Sequence, residues 1–218
     1  MKNPTRLSKK RILISLLLFS SIPFLSFFLN QFVHNHTLTQ MFAINFTVWI
    51  LIMYDWNLFG IHYNRCKKEP GKALRYTLIG IGLVSAWIFA SRFFLHAGHI
   101  FPDFLSIHSY RAAWPAVLIA YSFGNSALMN IGFKVMTDRI RIKGQVLLAI
   151  LVTAGVFGTF YTLLFHFWSF SEFFAALFFT IVLTGIQSFL CSRAHTIFPG
   201  MIATALVFLL FQFMLMKG

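Results

Sequence analysis

The sequence predicts an all-α fold, a polytopic membrane bundle of about seven transmembrane helices. Three observations predict it. The chain of 218 residues is 58% hydrophobic and 18% aromatic with 29 Phe, and its mean hydropathy is +0.76. Only 11% of its residues are charged, too few to cover a soluble core of this size. Of the 18 Lys and Arg, 16 fall between apolar runs, and Arg92 and Arg111 lie near run ends on the opposite side; this is the pattern of cytoplasmic anchoring.

The apolar runs are placed by the rule that roughly 20 residues span the hydrocarbon core. They cover residues 12 to 33, 38 to 56, 76 to 95, 110 to 133, 145 to 167, 173 to 191 and 198 to 216. The first is long and lacks a small-x-small cleavage site, so it is expected to be a retained helix rather than a signal peptide. The first two runs form an N-terminal helical pair, 1 to 56, within a single membrane domain whose remaining part is 57 to 218. The connection from 57 to 75, with Pro70-Gly71, reads as a loop with a turn, too short to fold alone.

Orientation follows from the short loops. Lys2, Arg6, Lys9, Lys10 and Arg11 precede the first run, and Arg65, Lys67, Lys68, Lys72 and Arg75 follow the second. Lys134, Arg139, Arg141 and Lys143 follow the fourth, and Arg193 follows the sixth. If each run crosses once, all four groups share one side, which the positive-inside rule assigns to the cytoplasm together with the N-terminus. Localisation in the plasma membrane of a bacterium is expected. The formal charge of +13 does not imply nucleic acid, because the cations do not gather on a soluble face. Cys66 and Cys191 both fall at the cytoplasmic edge, so no disulfide is expected.

Standard catalytic signatures are missing. The five acidic residues, Asp55, Glu69, Asp103, Asp138 and Glu172, all lie at membrane edges or in loops. There is no GxSxG, HExxH, Walker loop or paired-carboxylate motif, and no cofactor is expected. His96, His99 and His108, with Asp103 between them, are weak candidates for a metal, since HxxH places two imidazoles on one helical face. Solvated histidines of an interfacial loop explain them as well, and no metal is assigned. His34, His36, His62 and His195 sit in loops or at helix ends and receive no role.

Polar residues at helical spacing carry the remaining signal. The stretch SFGNSALMNIGFK holds Ser122, Asn125, Ser126 and Asn130, with no charge among them. Gly155, Thr159, Thr162 and His166 share a face of the fifth run; Thr180, Thr184 and Gln187 line the sixth, and Thr204 and Gln212 the seventh. Polar groups facing lipid are costly, so these faces are expected to turn toward each other. Interhelical hydrogen bonding explains such rows without any ligand.

The second half of the chain resembles the CPBP family of intramembrane proteases, the CAAX proteases and bacteriocin-processing or immunity proteins also called the Abi family. Residues 193 to 203, RAHTIFPGMIA, read like the turn before the last family helix, and SEFFAALFFTIVLTGI, 171 to 186, looks like the helix feeding it. NLFGIHYNRCK, 57 to 67, is similar to the cytoplasmic segment before the family's middle helices, so the likeness spans residues 57 to 208. The family carries EExxxRG, FxxxH and HxxxN on successive helices. Aligned on Gly132-Phe133, its glutamates fall on Ser126 and Ala127 and its arginine on Ile131. Thr162 replaces the phenylalanine of FxxxH, and the last histidine and asparagine fall on Thr204 and Phe208. Only the histidine of FxxxH is kept, at His166.

The resemblance therefore implies a worn protease site, since the family's water activation needs a carboxylate within hydrogen-bond reach. Ser126 cannot serve as that base. A rebuilt site would pair Ser126 with His166 and use Asn125 or Asn130 as oxyanion donor, though no carboxylate is at hand to orient the imidazole. The expected function is a catalytically degenerate CPBP-like protein that binds a membrane or cell-envelope partner as regulator, scaffold or immunity factor. The alternatives are an active endopeptidase with a non-standard site and a small-molecule carrier, the latter lacking the broken paired helices common in transporters.

Overall fold

The computed structural model describes residues 9–54, 56–94 and 170–216, with 116, 119–120, 122–124, 126–128 and 130–131 between them. Every element is helical: α1 (Lys9–Val33), α2 (His36–Tyr54), α3 (Trp56–Lys68), α4 (Pro70–Phe94), α5 (Phe170–Ala194) and α6 (Phe198–Met216). The described residues from 116 to 131 are also helical and form the central segment.

Local chemistry sets the helix ends. α1 stops where His34 adopts a left-handed conformation, φ 52°, and its N–H bonds back to the Asn30 carbonyl at 3.1 Å. Asn35 then caps α2, its side-chain oxygen accepting the Leu38 N–H at 3.0 Å. Two residues thus suffice to reverse the chain into an antiparallel hairpin, closed inside by Ser26 and Thr39 hydroxyls 3.4 Å apart. α5 ends in the same way at His195, φ 58°.

The segment from 57 to 75 corrects the expectation of a loop. α3 fills 56 to 68, and Pro70 opens α4 instead of closing a turn. Proline is favoured in the first turn of a helix, where its missing N–H has no partner to lose. α3 also breaks sharply from α2, the two axes meeting at 83°.

Leu13–Val33, Pro70–Ser91 and Phe173–Ala194 are each long and apolar enough to cross a membrane, and α2 with α3 adds a bent fourth candidate. Large apolar side chains cover the outer faces, while many polar ones are buried beside the apolar core. Phe24, Phe27, Phe28 and Phe32 of α1 and Phe42, Phe46, Trp49 and Met53 of α2 are exposed. Buried instead are Ser15, Ser26, Thr39, Gln40, Thr47, Ser91, Ser122, Ser126, Asn130, Thr180, Thr184, Gln187, Ser188 and Thr204. Rows of large apolar side chains at helical spacing on an outer face are tolerable only where the solvent is hydrocarbon. The fold is that of a multi-pass membrane protein.

The helices pack around Ile22, Ile44, Leu51, Val84, Ile88, Leu128, Ile131, Leu183 and Phe208. α4 runs antiparallel to α5, joined by Trp87, which stacks on the Phe179 ring and donates its indole N–H to the Phe179 carbonyl at 3.2 Å. α4 runs parallel to α6, where Phe89 meets Phe211 edge-on. A Cβ on Gly80 would stand 2.8 Å from both Ala203 Cβ and Leu190 Cδ1, so glycine sets the closeness of all three helices there.

These directions bring the start of α1, α3, the start of α4 and the α5–α6 turn to one end. Two contacts fasten α3 to that turn. The Arg65 guanidinium donates to the His195 carbonyl at 3.2 Å, and the Thr196 hydroxyl donates to the His62 carbonyl at 3.1 Å. Phe198 packs edge-on against Phe59 and Tyr63. Cys66 and Cys191 are not joined in a disulfide.

Candidate functional site

The buried polar groups converge where the central segment meets α5 and α6. α5 carries a ladder of hydroxyls that bond back along their own helix. Thr180 donates to the Leu177 carbonyl at 3.0 Å, Thr184 to the Thr180 carbonyl at 2.7 Å and Ser188 to the Thr184 carbonyl at 2.6 Å. Such back-bonds satisfy a hydroxyl within an apolar helix without any partner outside it. Gln187, on the adjoining face, reaches across to α6, its amide donating to the Thr204 hydroxyl at 3.0 Å.

The central segment closes the third side. Ser126 donates its hydroxyl to the Met201 carbonyl in the first turn of α6, and the Asn130 amide donates to the Ser126 carbonyl at 2.8 Å. Both side chains are fully buried. The expectation that polar faces turn toward one another is met between α5 and α6 at the Gln187–Thr204 bond; the row from Gly155 to His166 lies outside the described residues.

Asn130 Oδ1 is buried without a hydrogen-bond partner and lies against Gly200. A Cβ on Gly200 would stand 2.6 Å from Asn130 Oδ1 and 3.7 Å from the Gln187 carbonyl oxygen. Glycine is therefore what lets α6 approach the central segment closely enough for the Ser126 bond to form.

A second joint of the same kind lies toward α2. The Asn45 amide donates to the Met41 carbonyl at 2.9 Å and to the Ala120 carbonyl at 3.1 Å. A Cβ on Gly124 would meet Asn45 Nδ2 and Oδ1 at 2.8 Å. Sequence reasoning missed Asn45, Gly124 and Gly200; a lone asparagine in an apolar run was the available signal for the first of them. His62, given no role from the sequence, is buried on the inner face of α3 beneath the α5–α6 turn.

No family model, curated protein or solved structure matches this chain. The chemistry rests on the geometry alone.

A nucleophilic serine must direct its proton to a base. Ser126 instead directs it to a backbone carbonyl, and one of the two amide donors of Asn130 is taken by the Ser126 carbonyl. Thr204 accepts from Gln187, which makes it a packing contact between α5 and α6. No carboxylate is buried among the described side chains; Glu69 sits exposed, 3.1 Å from the Lys72 ammonium. Asn125, Thr162 and His166 lie outside the described residues, as do His96, His99 and His108. Among the described residues no group of three His, Cys, Asp or Glu could hold a metal ion.

Proposed function

We propose that this chain is a catalytically silent, CPBP-like integral membrane protein that works by binding a membrane or cell-envelope partner, as a regulator, scaffold or immunity factor. One observation carries the proposal: the Ser126 hydroxyl, at a position where the resembling family has a glutamate, is spent on the Met201 carbonyl. The Asn130 amide and the Gln187–Thr204 pair are likewise bonded to a helix backbone or to each other, which supports reading the row as one that binds helices together. A hydrogen bond of this kind stabilises a membrane bundle by about 0.6 kcal/mol. That is enough to give the row a purpose without chemistry.

The orientation belongs to the same proposal. Lys10, Arg65, Lys67, Lys68, Lys72, Arg75 and Arg193 share the end of the bundle that holds α3 and the α5–α6 turn, which supports reading that end as cytoplasmic by the positive-inside rule.

Cleavage of co-expressed membrane substrates, compared between wild type, Ser126→Ala and His166→Ala, tests the assignment. The expected result is no cleavage that depends on either residue, together with co-purification of an envelope protein that neither substitution disturbs. Histidine-dependent cleavage overturns it in favour of an active endopeptidase.

A further inference from the structure

We propose that α3 and the first turns of α4 form an interfacial site for anionic phospholipid headgroups. The inference uses the inward orientation of this end of the bundle and is independent of whether the protein is catalytically silent.

α3 is 13 residues long, too short to cross a bilayer, and it leaves α2 at 83°. With α2 alone taken as the span, a helix that leaves it this sharply at the membrane edge runs along the surface. Its two faces differ in the manner of an interfacial helix. The inner face is tied down by His62, Arg65 and Phe59, through the Thr196 and His195 bonds and the Phe198 ring.

The outer face carries Trp56, Gly60, Tyr63 and Lys67 at i, i+4, i+7 and i+11. Trp56 is 66% exposed and Tyr63 60%; Tyr63 meets Phe198 edge-on along one side of its ring and leaves the rest exposed. Indole and phenol rings partition to the headgroup layer, with the ring among acyl carbons and the polar edge in the wet zone. Lys67 ends that row, Lys68 is exposed at the flank beside it, and Arg75 is exposed one and a half turns into α4. Amphipathic helices that lie in the interface combine aromatic anchors with cations in this way.

The charge balance selects the lipid. Residues 55 to 75 hold Arg65, Lys67, Lys68, Lys72 and Arg75 against Asp55 and Glu69. Glu69 is held by Lys72 and Arg65 by the His195 carbonyl. Lys67, Lys68 and Arg75 are the cations left to meet phosphate at the surface. Each basic residue beside an anionic leaflet raises its partition by roughly 5-fold.

The experiment measures lipid retention by the full chain in neutral detergent micelles seeded with equal phosphatidylglycerol and phosphatidylcholine. Wild type is expected to enrich phosphatidylglycerol, and the combined Lys67→Gln, Lys68→Gln, Arg75→Gln variant to lose roughly 100-fold of that preference. Lys9→Gln with Lys10→Gln, on α1, is expected to lose far less. Raising the salt from low to about 0.5 M is expected to weaken the wild-type preference without any substitution, which keeps the test valid should the triple variant misfold. Equal loss in both variants, or a preference unmoved by the triple substitution and by salt, overturns the proposal. Full competition by millimolar inorganic phosphate also overturns it, because the site would then belong to free phosphate.

Discussion

Replacing Gly200 with alanine perturbs the joint between α6 and the central segment by one methyl group. The new Cβ would stand 2.6 Å from Asn130 Oδ1, well inside van der Waals contact, and 3.7 Å from the Gln187 carbonyl, where it does no harm. Asn130 could escape only by rotating its amide, which breaks its 2.8 Å bond to the Ser126 carbonyl, or by pushing α6 outward, which strains the Ser126–Met201 bond. Overpacking of this kind costs about 1–3 kcal/mol. Alanine's higher helix propensity returns about 1 kcal/mol, leaving a net loss of up to about 2 kcal/mol. With Asn130→Ala already in place the obstructing oxygen is gone, and Gly200→Ala then becomes neutral or stabilising. A double-mutant cycle, read by reversible unfolding in mixed micelles, is expected to show coupling of about 2 kcal/mol. Additive effects in the cycle would refute the close approach of Asn130 to Gly200.

Gly80→Ala is expected to cost more than Gly200→Ala, because Ala203 Cβ, 2.8 Å away, cannot rotate aside; Gly82→Ala, with nothing within 4 Å of its Cβ, serves as the neutral or stabilising control in the same unfolding assay. Asn35→Ala removes the cap on the Leu38 N–H and is expected to lower stability by about 1 kcal/mol. His34→Gly relieves a left-handed backbone at φ 52° and is expected to raise stability by less than about 1 kcal/mol after the greater freedom of glycine in the unfolded chain is counted.

The positions of α1, α2 and α6 were legible because uninterrupted apolar runs mark the hydrocarbon thickness directly. α3 was not, since Asn57 to Lys68 mixes Asn, His and cations with aromatic residues, and a short interfacial helix has no apolar run to betray it. Pro70-Gly71 looked like a turn, whereas a proline in the first helical turn is a start signal, distinguished from a turn only by the helical residues on its C-terminal side. At the candidate site, the rows containing Ser126, Asn130, Gln187 and Thr204 stood out as polar groups in apolar helices. Their partners did not. Whether Ser126 meets Met201 or another group depends on the register between helices far apart in sequence, and the glycines at 124 and 200 that permit the approach acquire meaning only once Asn45 and Asn130 are seen opposite them.

Treatment of the membrane-embedded chain with a small serine-directed fluorophosphonate, with mass spectrometry of the intact protein and its peptides, tests directly whether the buried polar row is a structural joint. A hydroxyl fully buried and donated to the Met201 carbonyl is expected to remain unlabelled in the folded protein. Stoichiometric modification of Ser126, abolished by His166→Ala, would contradict the account.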